Sequence, residues 1–92
     1  MIYIYRQHAI KRMFERGITE TDVQTALATG QVIEDYPTDY PLPSCLWLGH
    51  IDARPVHVVF ADNKERDERI IITVYEPDPE QWTADFTARK ES

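Results

Sequence analysis

HAIKRMFERGITETDVQTALATG, residues 8–30, carries two short helices and the punctuation between them. At 100° per residue, His8, Arg12, Glu15 and Arg16 fall in one narrow stripe, and Ala9, Ile10, Met13, Phe14 and Gly17 fall on the opposite side. The pattern predicts a helix from about Gln7 to Arg16, with Gly17 as its stop signal. Thr19 opens a second helix, because T-E-T-D sets an acidic residue three positions after the cap, a variant of the capping box. Val23, Ala26 and Leu27 give that helix an apolar stripe, and Gly30 closes it. The tight Gly-Ile-Thr link between the two predicts a helical hairpin.

Outward from Gly30 the texture changes. QVIEDY reads as a strand, followed by the turn-rich DYPTDYPLPS. CLWLGHI, PVHVVFA and RIIITVYEP read as three more, each rich in β-branched or aromatic residues. Asp52-Ala53 is a tight connection and DNKERDE (62–68) a solvated loop, so these strands are expected to be antiparallel neighbours. IIITV and VHVVF are apolar at consecutive positions, which calls for cover on both faces of the sheet, or at least a thick layer on one. Residues 2–5, IYIY, suit either a first strand or a lead-in packed under the first helix. After Pro77 and Pro79, EQWTADFTARK predicts a short terminal helix that sets Trp82 and Phe86 onto the sheet. The expected fold is α+β: a two-helix hairpin packed on a four-stranded antiparallel sheet with a short C-terminal helix.

Ninety-two residues make one domain, 1–92. An apolar fraction of 42% suits a packed core and excludes a disordered chain. The lone cysteine, Cys45, excludes an internal disulfide and any multi-cysteine zinc site within one chain. No signal peptide stands at MIYIYRQHAIKRM and no apolar run approaches 18 residues, so the sequence predicts a cytoplasmic protein without a membrane partner. Net charge is −6 and unevenly spread: residues 1–30 carry four Lys/Arg against three Asp/Glu, residues 31–92 six against thirteen. A chain this acidic does not hold nucleic acid by bulk charge, and no DNA partner is predicted; RNA contact requires a local basic patch such as Arg12 with Arg16.

The helical stripe supplies such a patch. His8, Arg12 and Arg16, at i, i+4 and i+8, set a titratable imidazole beside two fixed cations, the equipment for gripping a phosphate and moving a proton near it. The competing reading pairs Arg12 and Arg16 with strand carboxylates and leaves His8 to pack at the helix start. His57 is the one polar side chain in VHVVF. It is either a buried, hydrogen-bonded core histidine or the partner of His8 in acid–base cleavage of RNA, one ring taking the 2′-hydroxyl proton and the other protonating the leaving 5′-oxygen. Arg54 either extends the basic patch or pairs with Asp52. Tyr75 either supports a phosphate or sits at the core edge. His50 lies near a strand end and reads as exposed. No histidine pair has the H-x-x-x-H spacing of a metal site, so no metal or other cofactor is expected. Cys45 has no activating neighbour in the sequence and reads as a small hydrophobe. Glu34-Asp35-Tyr36-Pro37 with Asp39 and Tyr40 forms a rigid, acidic, aromatic loop suited to a protein contact or to covering a sheet edge.

Four blocks in order, H-A-x-x-R-M-x-E-R-G-I-T (8–19), G-x-V-I-E-D-Y-P (30–37), R-P-x-H-V-V (54–59) and I-T-V-Y-E-P (72–77), resemble a bacterial family of small proteins labelled domain of unknown function 4258. The resemblance covers residues 8 to about 82 and implies a prokaryotic source. That family is grouped with the RelE/ParE-like plasmid-toxin superfamily. The resemblance therefore implies a RelE/ParE-like fold, mRNA cleavage as a type II toxin, and an antitoxin protein as partner, in some members one of zinc-finger type. His8, Arg12 and Arg16 match the family's first motif, and His57 its strand motif. The chain departs from mRNA-cleaving toxins in one respect: those tend to be basic, and this one is at −6.

The expected function is thus a toxin-type, metal-independent endoribonuclease. His8 and His57 would transfer protons, Arg12 and Arg16 would clamp phosphate, and Arg54 and Tyr75 would support them. The alternative is a non-catalytic interaction domain whose polar residues form a structural network, with loop 34–41 as its contact surface. Geometry separates the two. Catalysis needs His8, Arg12 and His57 around one open concavity, whereas the alternative has Arg12 and Arg16 saturated by carboxylates such as Glu34 or Asp35.

Overall fold

A computed structural model describes residues 1–91. In chain order the elements are β1 (Ile2–Tyr5), α1 (Gln7–Arg16), α2 (Glu20–Ala28), β2 (Gly30–Tyr36), β3 (Ser44–Ile51), β4 (Arg54–Asn63) and β5 (Glu68–Tyr75). The five strands form one mixed sheet in the order β1-β5-β4-β3-β2, with β2 to β5 antiparallel neighbours and β1 parallel to β5. This corrects the expected four-stranded antiparallel sheet. IYIY is a strand because β5 offers it a partner: Ile4 pairs with Ile70 and Tyr5 with Ile71, a contact too distant in sequence for a four-residue segment to announce.

Both helices lie on one face. Gly17, at φ 66°, ends α1 in a left-handed cap; its N–H donates to the Phe14 carbonyl while that of Ile18 donates to Met13 at 2.8 Å. Ile18 and Met13 are both buried, the apolar contact that accompanies this motif. Thr19 caps α2 as the sequence predicts: its hydroxyl accepts from the Asp22 N–H at 3.0 Å, and the Asp22 carboxylate accepts from the Thr19 N–H at 2.9 Å. The helices do not form the expected hairpin. α1 packs chiefly on β5 and α2 on β3, so the sheet, not the neighbouring helix, takes their apolar stripes. Ala9, Met13, Ile18, Val23 and Leu27 meet Val56, Val58, Phe60, Ile71 and Val74 in this core.

α1 is rolled relative to its helical wheel. Ala9 and Met13 are buried, but Ile10 is 53% and Phe14 88% exposed. The apolar arc of the sequence is wider than the strip that β5 covers.

The second face is covered by the C-terminal segment, which is not the expected helix. Residues 77–91 form turns with a single bridge between Trp82 and Arg89. Asp85 explains this: its Oδ1 accepts from the Thr83 hydroxyl, the Thr87 hydroxyl and the Thr87 N–H, a local arrangement that competes with helical bonding. Trp82 nevertheless reaches the sheet and is buried, as expected, while Phe86 is half-buried. No helix among the described residues is long and apolar enough to cross a membrane.

Candidate functional site

His57 is fully buried, and strand alternation fixes its direction. Val56 and Val58 belong to the helix-side core, so the imidazole points away from α1 toward the C-terminal segment. There it is engaged on every side. Nε2 lies 2.9 Å from the Phe86 carbonyl, which can only accept, so Nε2 carries the proton; Nδ1 then accepts from the Tyr75 hydroxyl at 3.2 Å. The rings of Trp82 and Tyr75 meet it edge-on, at centroid distances of 4.4 and 5.2 Å. Burial drives the His57 pKa below its ordinary value; the bond to Phe86 opposes this and nearby Arg89 adds to it. Burial likewise raises Tyr75 above the usual tyrosine value.

A pH dependence follows from these directions. Folded His57 binds its proton less readily than the unfolded chain does, so its contribution is complete above the ordinary value of 6.5 and is lost as pH falls through the folded value. Urea unfolding between pH 7.5 and 5 is expected to show stability falling with acid. The slope should be shallower in His57→Gln, which does not titrate.

His8 stands elsewhere. It opens, with Arg6, onto a cleft of about 450 Å³ whose floor is Ala61, Ile70 and Ile72 and whose far wall is the loop Asp39–Leu42. Ala61 is four residues along β4 from His57, about 13 Å at the usual strand rise. The pairing of His8 with His57 expected from the sequence is therefore not formed.

Arg12 and Arg16 are exposed on α1. Neither they nor Arg6 and Lys11 make an ion pair among the described residues. Arginines of the sheet and tail behave differently. Arg54 pairs with Glu76 and not Asp52, and also donates to the Arg16 carbonyl at 2.7 Å; Arg69 grips Asp62 through two bonds of 2.8 and 3.0 Å. Arg89 approaches Glu34 at 3.8 Å and lies over the Trp82 ring. Glu34, expected as a partner for Arg12 or Arg16, instead takes Arg89 and the Tyr36 hydroxyl. Arg12→Ala is accordingly expected to leave the melting temperature within about two degrees of the parent, because no buried carboxylate loses its partner. Thermal unfolding followed by circular dichroism checks this.

Burial, with Asp35 and Asp62 adding, pushes the Cys45 thiol up to about 11, so it is protonated at neutral pH. No group of three or more His, Cys, Asp or Glu among the described residues is placed to hold a metal ion. His50 is exposed near the end of β3. The cleft residues Arg6, Leu42, Ile70 and Ile72 carried no signal as a site in the sequence. Ile70 and Ile72 belong to β5, Arg6 follows β1 and Leu42 sits in the β2–β3 loop, so they meet only once the sheet is assembled.

A family model described as Domain of unknown function (DUF4258) matches residues 5–76. No curated protein and no solved structure matches the chain.

Proposed function

We propose, for a chain that belongs to the DUF4258 family, that it is an RNA-directed protein of toxin type, engaging single-stranded RNA along α1. The observation that carries this reading is the contrast in arginine pairing. Arg54, Arg69 and Arg89 each face a carboxylate, whereas Arg12 and Arg16, with Lys11 on the same helix, are left to solvent in a chain of net charge −6, as is Arg66 in the loop before β5. Cations exposed in this way are available to phosphate oxygens.

Cleavage, on this reading, is transfer within the RNA. The 2′-oxygen bonds to phosphorus, the bond to the 5′-oxygen breaks, and a proton passes from the first oxygen to the second. His8 is the histidine on the same helix as the cations and serves one end of that transfer, while Arg12 and Arg16 offset the charge that grows on the phosphate. His57, enclosed by the tail, takes no part, and the concavity of His8, Arg12 and His57 expected of a catalytic site gives way to His8 with the α1 cations alone. The RelE/ParE-like grouping supports the reading, and so does the order of two helices before an antiparallel array of strands; an antitoxin protein is the partner it implies.

A second reading has its own support. The enclosed His57–Tyr75–Phe86 network and the Arg54–Glu76 pair are what a non-catalytic interaction domain would contain, with the exposed Tyr40 on the acidic loop as a contact. Incubating the protein with mixed-sequence single-stranded RNA in EDTA separates the two. Cleavage that persists in EDTA, survives in His57→Gln and vanishes in His8→Ala is the expected result. Intact RNA, with and without ribosomes, would favour the interaction domain.

A further inference from the structure

We infer that the cleft beside the start of α1 is a binding site for a small amphipathic anion: a carboxylate or phosphate monoester on a flat or branched apolar body. Its volume of about 450 Å³ lies within the range of small-ligand sites, and its chemistry is divided. The floor is aliphatic, from Ala61 on β4 and Ile70 and Ile72 on β5, and Leu42 closes it from the loop. The polar groups stand at the rim, and their charges are not equivalent. Asp39 accepts a hydrogen bond from the Ser44 hydroxyl but keeps its negative charge, so the rim sets Arg6 and His8 against one carboxylate. Arg6 makes no ion pair among the described residues, and His8 stands next to it with its ring exposed.

A guanidinium and an imidazole above an aliphatic floor favour a ligand with one anionic end and one apolar end. The first turn of α1 adds to this preference, since it holds no acidic residue and no side-chain cap. Tyr40, 94% exposed on the facing loop, supplies an aromatic wall for a flat body. A cation would meet Arg6, and a fully polar ion would leave the floor wet. The inference does not depend on RNA cleavage: a cleft with this preference binds a small anion whether or not α1 engages a polynucleotide.

The test uses the full chain with its Ile and Ala methyl groups labelled for NMR. The probes are phenyl phosphate, phenylacetate and, as the cationic counterpart, benzylamine. Saturable shifts of the Ala61, Ile70 and Ile72 methyls with at least one of the two anions, and none with benzylamine at equal concentration, are expected. Response to phenyl phosphate alone narrows the ligand to phosphate esters; response to both keeps the wider class. Arg6→Gln, at an exposed position outside any ion pair, should raise Kd at least fivefold, with the free protein's methyl signals away from the cleft unchanged. Absence of saturable shifts with either anion, equal response to benzylamine, or an unchanged Kd in Arg6→Gln would overturn the inference.

Discussion

His57→Ala is expected to destabilise the fold by about 3–5 kcal/mol, a large part of the stability of a domain this size. The imidazole is wholly enclosed and holds the C-terminal cover at two points, through the Phe86 carbonyl and through the edge of Trp82. Its removal leaves that carbonyl and the Tyr75 hydroxyl without their partner, each at a cost of about 1–3 kcal/mol if it stays buried, and opens a cavity beneath Trp82. Equilibrium unfolding in urea measures the loss. A red shift of tryptophan emission at low denaturant would accompany it as water reaches Trp82. A change below about 1 kcal/mol would mean that the tail is held by something other than this histidine.

Gly49→Ala is expected to be nearly as damaging for the opposite reason, an atom too many. A Cβ at Gly49 would lie 2.2 Å from the Ala26 carbonyl oxygen and 2.8 Å from the Ala26 Cα, so the last turn of α2 rests directly on the backbone of β3. The obstacle is backbone and cannot rotate aside. Lifting α2 would also break the bond from Trp47 Nε1 to the Ala26 carbonyl, 3.0 Å long, and part Val23 and Leu27 from the sheet. A loss of about 3 kcal/mol, or a fall in Tm of more than ten degrees, is expected from thermal unfolding. A parent-like Tm would show that α2 is free to slide.

These two residues mark how far the sequence could be read. The bounds of α1, the capping box of α2 and the four later strands are local matters of periodicity and stop signals, and all of them were legible. The places where reading failed depend on distant partners. IYIY becomes a strand only because β5 presents an edge to it. The apolar arc Ala9–Ile10–Met13–Phe14 is real, but only Ala9 and Met13 find the sheet beneath them.

 Ile10 and Phe14 stay open because the strip offered by β5 is narrow. The C-terminal segment has helical spacing, yet Asp85 gathers Thr83 and Thr87 into turns instead.

The candidate site divides along the same line. Exposure of His8, Arg12 and Arg16 on one helix could be read from the wheel. The direction of His57 was implicit in the alternation of VHVVF, but what covers it was not, since Trp82 and Phe86 lie 25 and 29 residues further on. Arg6, Ile70 and Ile72 meet at the cleft through the pairing of β1 with β5, so no spacing in the sequence could bring them forward.

The most direct test of RNA engagement along α1 is the salt dependence of binding to a short, mixed-sequence single-stranded RNA, measured by fluorescence anisotropy. Each phosphate neutralised on a single strand contributes a slope of about −0.7 in log K against log salt concentration. Binding by the parent, with a slope shallower by about 1.4 in the Arg12→Ala/Arg16→Ala double variant, is the predicted result. Absence of binding at low salt, or an identical slope in parent and variant, would contradict it.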